Sequence, residues 1–380
     1  MMQKRKRTEP YLSTYFHTKG VRLGLPIAGN FELTARCNFN CPMCYVHMNE
    51  QQLRESGKKE LTTEQWISIA KDAKEKGMIF VLLTGGEPFV RKDFFEIYGA
   101  MKKMGLMVSI NSNGSMLEGP ILEKLLADPP FRMNISLYGG CNDTYQNMCG
   151  LPMFDKVVKN IQTLKQHGID VSINLSITPY NCKDIAKIYE VASELEVPVK
   201  ASSYMYPSIR VNGEQYGQND RLSPSESAKW SVEWDLLRFT EEEFQIRAEN
   251  MGKLIAVDEP ECSIDIEEGV KCRAGRSSFW LTWDGVMRPC GMMPGPNVYP
   301  LEVGFDKAWE TLLAETKEIT TSSKCSNCEK KDVCGVCAAV CMAETGKFNG
   351  TPTYMCERTK EIIQITQKRS NQEKQAAPPK

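Results

Sequence analysis

Three cysteines, Cys37, Cys41 and Cys44, stand at C-x3-C-x2-C spacing in the run Cys37-Asn38-Phe39-Asn40-Cys41-Pro42-Met43-Cys44. Thiolates are the soft ligands that iron–sulfur clusters take. Three of them hold three irons of a [4Fe–4S] cluster and leave the fourth iron open to a small molecule. A zinc knuckle is the other chemistry this spacing admits, with His47 as a fourth ligand, because structural zinc wants four. Further along, the apolar strand Phe80-Val81-Leu82-Leu83-Thr84 runs into Gly85-Gly86-Glu87-Pro88. Paired glycines allow positive φ and close backbone approach to a ligand. Glu87 can accept hydrogen bonds from an ammonium group.

A second set of cysteines lies near the C-terminus: Cys272, Cys290, then Cys325-x2-Cys328-x5-Cys334-x2-Cys337-x3-Cys341, and Cys356. Eight thiolates are what two fully ligated four-iron clusters require; zinc ribbons are the alternative. Of the 15 cysteines this leaves Cys141, Cys149, Cys182 and Cys262. Disulfides would need an oxidising compartment. Here no signal-peptide core follows the basic residues 1–7, and the spacings are of the metal-binding kind. A reducing, cytoplasmic setting is expected. Net charge is −1, which disfavours extended nucleic-acid binding, and no apolar run reaches membrane-spanning length. A chain of 380 residues has room for a catalytic barrel and an appendage.

The elements that must position these residues alternate along the chain. Strands are expected at residues 27–36, 79–83, 107–111, 132–137, 171–177 and 197–203. Helices are expected at 62–77, 93–104, 122–127, 154–167 and 182–195. The first of these is capped by Thr62 or Thr63 and turns Trp66, Ile67, Ile69 and Ala70 inward. Such alternation predicts a parallel α/β sheet with its chemistry at the strands' C-terminal ends, where the cysteines and the Gly-Gly-Glu run fall. Residues 49–60 read as a loop and 207–219 as a turn-rich crossing. Ser223-Pro224-Ser225-Glu226 opens a helix expected to reach residue 243. Asp284-Gly285 joins strands 279–283 and 286–290 in a hairpin, 308–318 is a short helix, and the chain from 367 reads as a disordered polar tail.

Together, the cysteine triplet and Gly85-Gly86-Glu87 resemble the radical S-adenosylmethionine (SAM) enzymes. The resemblance implies a partial (β/α)6 barrel whose first cluster chelates SAM through its open iron. It implies that Gly85, Gly86 and Glu87 contact the methionine end of SAM, with Ser112, Asn113, Ser136 and Asn174 as further contacts. Two departures stand out. The aromatic residue that often precedes the third cysteine is replaced by Met43, with Tyr45 after it. No arginine falls in residues 142–150, so the SAM carboxylate has no assigned partner.

The second cysteine set is similar to the SPASM extension of these enzymes, which carries two auxiliary [4Fe–4S] clusters. The family spacing after Cys334 is x3; here Cys337 follows at x2 and Cys341 at x6. By the resemblance Cys325, Cys328, Cys334 and Cys356 hold the far cluster. Cys272 and Cys290 hold the nearer one, completed by Cys337, Cys341 or both, with Cys262 or an open iron as alternatives. The implied organisation is a tail at 1–26, a barrel at 27–215, a helical linker at 216–261, the SPASM domain at 262–360 and a polar tail at 361–380.

The implied reaction is reductive cleavage of SAM to a 5′-deoxyadenosyl radical, which abstracts hydrogen from a substrate. A flavodoxin or ferredoxin is the expected electron donor. A peptide or protein is the expected substrate, modified by thioether crosslinking, epimerisation or formylglycine-type oxidation. With about thirty residues ahead of the first cluster, no N-terminal leader-binding domain is expected. Tetrapyrrole or small-molecule dehydrogenation is the alternative, and a non-enzymatic iron–sulfur carrier the third reading. Cys141 or Cys182 is expected to face the substrate as a hydrogen-atom donor, against the plainer role of a buried apolar thiol.

Overall fold

The computed structural model describes residues 11–207, 220–250, 270 and 272–376, so most of the expected crossing at 207–219, and Cys262, lie outside the described residues. The strands are β1 (Ala28–Glu32), β2 (Phe80–Thr84), β3 (Met107–Ser112), β4 (Arg132–Ser136), β5 (Val171–Ser176), β6 (Val199–Ser202), β7 (Ser278–Leu281) and β8 (Met287–Arg288). They form one open sheet in the order β6-β5-β4-β3-β2-β1-β7-β8. Neighbours from β6 to β7 are parallel, and only β8 runs antiparallel, to β7.

The helices are α1 (Tyr11–Leu23), α2 (Glu50–Ser56), α3 (Thr63–Glu75), α4 (Phe94–Lys103), α5 (Gly119–Ala127), α6 (Asn142–Cys149), α7 (Phe154–Gln166) and α8 (Ile185–Glu194). Then come α9 (Pro224–Arg238), α10 (Glu241–Glu249), α11 (Pro300–Val303), α12 (Phe305–Lys317), α13 (Ser323–Ser326), α14 (Lys331–Cys334), α15 (Ala338–Thr345) and α16 (Thr353–Ala376). Those between strands lay an apolar stripe on the sheet. In α7, Val157, Ile161 and Leu164 recur at helical spacing and are buried. Strand residues Phe31, Val81, Leu83, Val108 and Ile110 meet them in a single core. The result is a mixed α/β core around an unclosed sheet, followed by short helices bearing the second cysteine set. Among the described residues no helix is long and apolar enough to cross a membrane.

Six expectations are corrected. Residues 49–60 are not all loop: Asn49 and Gln52 form a reciprocal capping box that starts α2, which buries none of its side chains and so shows no apolar period. The 1–26 tail contains α1, held by a hydrogen bond between His17 Nδ1 and Ser277 Oγ at 2.9 Å. The helix opened by Ser223 stops at Arg238. Phe239 is extended, and Thr240 with Glu243 caps a new helix, α10. Residues 142–149, given no element, form α6. The tail beyond 367 continues α16, whose Ile362 is buried with Ala228, Val232, Phe239 and Phe244. The hairpin is also shorter than expected, and it extends the main sheet through β7.

Candidate active site

Beyond β1 the chain runs through Thr34, Ala35 and Arg36 to Cys37. The end of β2 locks this run. Gly86 N donates to the Thr34 carbonyl at 2.7 Å, and Glu87 N to the Arg36 carbonyl at 2.9 Å. The approach demands glycine. Gly85 sits at φ +140°, where a Cβ would lie 2.5 Å from the Thr34 oxygen; a Cβ on Gly86 would lie 2.2 Å from the Arg36 oxygen. The close approach expected toward a ligand is thus made to the segment that delivers Cys37. Arg91, buried, donates to the carbonyls of Leu33 at 2.9 Å and Leu61 at 3.1 Å, and pairs with Asp93 at 2.6 Å.

The Glu87 carboxylate is fully buried and accepts hydrogen bonds from Asn113 N at 2.7 Å, Ser112 Oγ at 3.0 Å and Phe89 N at 3.3 Å. Burial pushes the carboxyl up to about 7, against the pull of those donors. Glu87, Ser112 and Asn113 therefore clamp β2 to β3. Asn113 Nδ2 also donates to Asn38 Oδ1 at 2.8 Å and reaches Cys37 Sγ at 3.7 Å. Ser136, the last residue of β4, and Asn174, two residues before the end of β5, are half-buried register partners.

Within the cysteine loop, Phe39 N donates to Cys37 Sγ and His47 N to Cys44 Sγ, each at 3.3 Å. Phe39 is buried edge-on against Tyr145 of α6, 6.4 Å between ring centres. Asn40 N donates to the Cys149 carbonyl at 3.1 Å. Here is a residue that sequence reasoning left unassigned: the Cys149 thiol, 1% exposed, neighbours Cys41 and is the first cause, ahead of burial, of that thiol's raised pKa. No spacing marks it; α6 brings it there. Cys141 is exposed at the start of α6, 3.4 Å from Thr144 Oγ1. Cys182 is buried in the main core, with Sγ 3.8 Å from the Pro179 carbonyl.

In the second set, desolvation and then the nearby Cys337 and Cys290 raise the Cys272 thiol. Burial and then Cys334, Cys325 and Cys328 do the same for Cys356. Cys341 is buried at 1% exposure between the sets, its thiol pushed up to about 12 by burial, then by Cys325, Cys337 and Cys334.

The residues suit iron–sulfur clusters. Burial pushes Cys37 up to about 12 and raises Cys44. Such thiols ionise against a cation, which ligation supplies, and amide donors already point at two of the sulfurs. Among the described residues no three His, Cys, Asp or Glu side chains converge as one metal ion requires. A cluster asks for less convergence, since each thiolate takes a separate iron.

Residues 31–192 match the Radical SAM superfamily, the stretch that holds the end of β1, the cysteine triplet, the Gly-Gly-Glu turn and strands β2 to β5. The chain carries a radical SAM catalytic domain and is an enzyme of that class. The AdoMet-dependent heme synthase of Methanosarcina barkeri is 28% identical over 345 residues, 86% of this chain and 95% of that one. A probable GTP 3′,8-cyclase of Saccharolobus solfataricus is 33% identical over 179 residues, 46% of this chain and 56% of its own length. Among solved structures, anSMEcpe with bound AdoMet superimposes with a TM-score of 0.66 at 17% identity, covering 91% of this chain and 98% of that one. Streptococcus suis SuiB bound to its precursor peptide SuiA gives 0.65 at 16% identity, covering 94% and 83%. These two likenesses are of fold.

Proposed function

We propose that Cys37, Cys41 and Cys44 hold a [4Fe–4S] cluster that binds SAM, in a pocket shaped by Gly85, Gly86, Glu87, Ser112, Asn113, Ser136 and Asn174. The enzyme abstracts hydrogen from an organic substrate with the 5′-deoxyadenosyl radical, its electron arriving from a flavodoxin or ferredoxin. Two auxiliary clusters accompany it in a SPASM-type region. Cys272, Cys290 and Cys337 serve the nearer, and Cys325, Cys328, Cys334 and Cys356 the farther.

A tetrapyrrole is the substrate class best supported, and the end-to-end match with a heme synthase carries that reading. Iron coproporphyrin III bears propionates where haem bears vinyls. Hydrogen abstraction from such a propionate, followed by loss of CO2 and one electron, gives a vinyl group, and an auxiliary cluster is suited to take the electron. A peptide or protein substrate is the second reading, supported by the shared fold with SuiB and anSMEcpe.

The test is anaerobic incubation of reconstituted protein with SAM, dithionite and iron coproporphyrin III. The expected result is 5′-deoxyadenosine together with a tetrapyrrole lighter by CO2 and two hydrogens per propionate. SAM cleavage with the tetrapyrrole unchanged would move the assignment to peptides. In the Cys37→Ala, Cys41→Ala, Cys44→Ala triple variant 5′-deoxyadenosine should disappear, and its persistence would overturn the radical SAM site.

A further inference from the structure

Tyr206 lies just past the end of β6, at the same C-terminal end of the parallel strands as the cysteine loop, and it reaches the second cysteine set. Its hydroxyl is 3.8 Å from Cys337 Sγ, within hydrogen-bond range for sulfur. Its ring packs in one cluster with Cys290, Cys337, Met292 and Phe348. The ring cannot drift. Tyr204 stands edge-on to it, 5.1 Å between centres, and Tyr204 is itself fixed by its hydroxyl on Glu344 at 2.8 Å. Glu344 is held in turn by a two-pronged pair with Arg221, at 2.6 and 3.2 Å. This support is more than an aromatic filler needs.

We propose that Tyr206 sets the reduction potential of the nearer auxiliary cluster by donating an O–H···S hydrogen bond to the Cys337 thiolate. The proposal rests on the two-auxiliary-cluster reading above. The donor direction follows from chemistry: a thiolate bound to iron carries no proton, whereas a phenol keeps its own at neutral pH. A reduced cluster carries one more negative charge than an oxidised one, so a donor to its sulfur favours reduction and raises the potential. The phenol thereby makes this cluster a better acceptor for an electron released by substrate, and it does so from the catalytic end of the barrel.

The experiment is an EPR-monitored potentiometric titration of anaerobically reconstituted full chain, in the triple-alanine background that lacks the first cluster. Tyr206→Phe removes the hydroxyl and keeps the ring. With iron content unchanged, one auxiliary midpoint should fall and the other stay. Tyr204→Phe, which removes the hydroxyl bond to Glu344 and leaves the Tyr206 phenol in place, should move neither. Unchanged midpoints in Tyr206→Phe would overturn the proposal, as would an equal shift in Tyr204→Phe. Loss of iron on Tyr206→Phe would also overturn it, by showing that the phenol holds the site together and does not tune it. A background chain with no auxiliary iron at all would overturn the two-cluster reading itself, and this shows before any Tyr206 comparison is made.

Discussion

A methyl group on Gly86 would stand 2.2 Å from the Arg36 carbonyl oxygen, and the obstacle is backbone that cannot swing aside. Gly86→Ala should destabilise the chain by about 1–3 kcal/mol in urea unfolding and lower the iron bound at the first site, since the displaced segment carries Cys37. Unchanged stability and iron would refute this role. Glu87 offers a pH test. Its ordinary value is 4.5 and burial raises it to about 7 in the folded chain. Between these values the folded chain keeps a proton that the unfolded chain has released, so stability falls as pH rises across that window and levels above it. The total is on the order of 3 kcal/mol. Glu87→Gln should flatten that slope in urea midpoints taken from about pH 5 to 7.5; an unaltered slope would assign it to other groups. The cysteine triplet and this glutamate stand out in the sequence because the chemistry they suggest is written in local spacing. Cys149 was not, because its contact with Cys41 is made only once α6 docks Tyr145 on Phe39.

Among elements, legibility followed the apolar period. Thr62 and Gln65 cap α3, and Trp66, Ile69 and Ala70 turn inward as their spacing predicts. Ile67 is only half-buried. The same type of capping box at Asn49 and Gln52 passed unread because no buried residue follows it in α2. In α16 the inward face mixes Ile362 and Ile363 with Thr359, Thr366 and Ser370, so the stripe reads as polar. Its burial against α9 is nonetheless real core. Ile362→Ala should cost about 2–4 kcal/mol in chemical denaturation. A change near zero would show that this stretch contributes no packing.

At the scale of the molecule, β7 is the joint. Phe279 and Leu281 are fully buried beside β1, and Phe279 meets Phe31, Phe305 and Trp309 at 5.9, 5.4 and 6.2 Å between ring centres. A fragment ending near residue 260 should therefore aggregate, with the edge of β1 and its aromatic neighbours exposed. Co-expression of residues 261–380 should restore solubility, and a soluble, monomeric fragment on its own would refute the joint. The same pairing has a consequence during synthesis. Ala28 pairs with Ser278, made 250 residues later. At about 5–20 residues per second the edge of β1 waits roughly 12–50 s on the ribosome for its partner. For nearly all of that interval the first cysteine loop has already emerged while the sheet beside it is unfinished. Iron for the proposed first cluster would therefore have a translation-timed opening in which to reach Cys37, Cys41 and Cys44 before the wall of the sheet is in place.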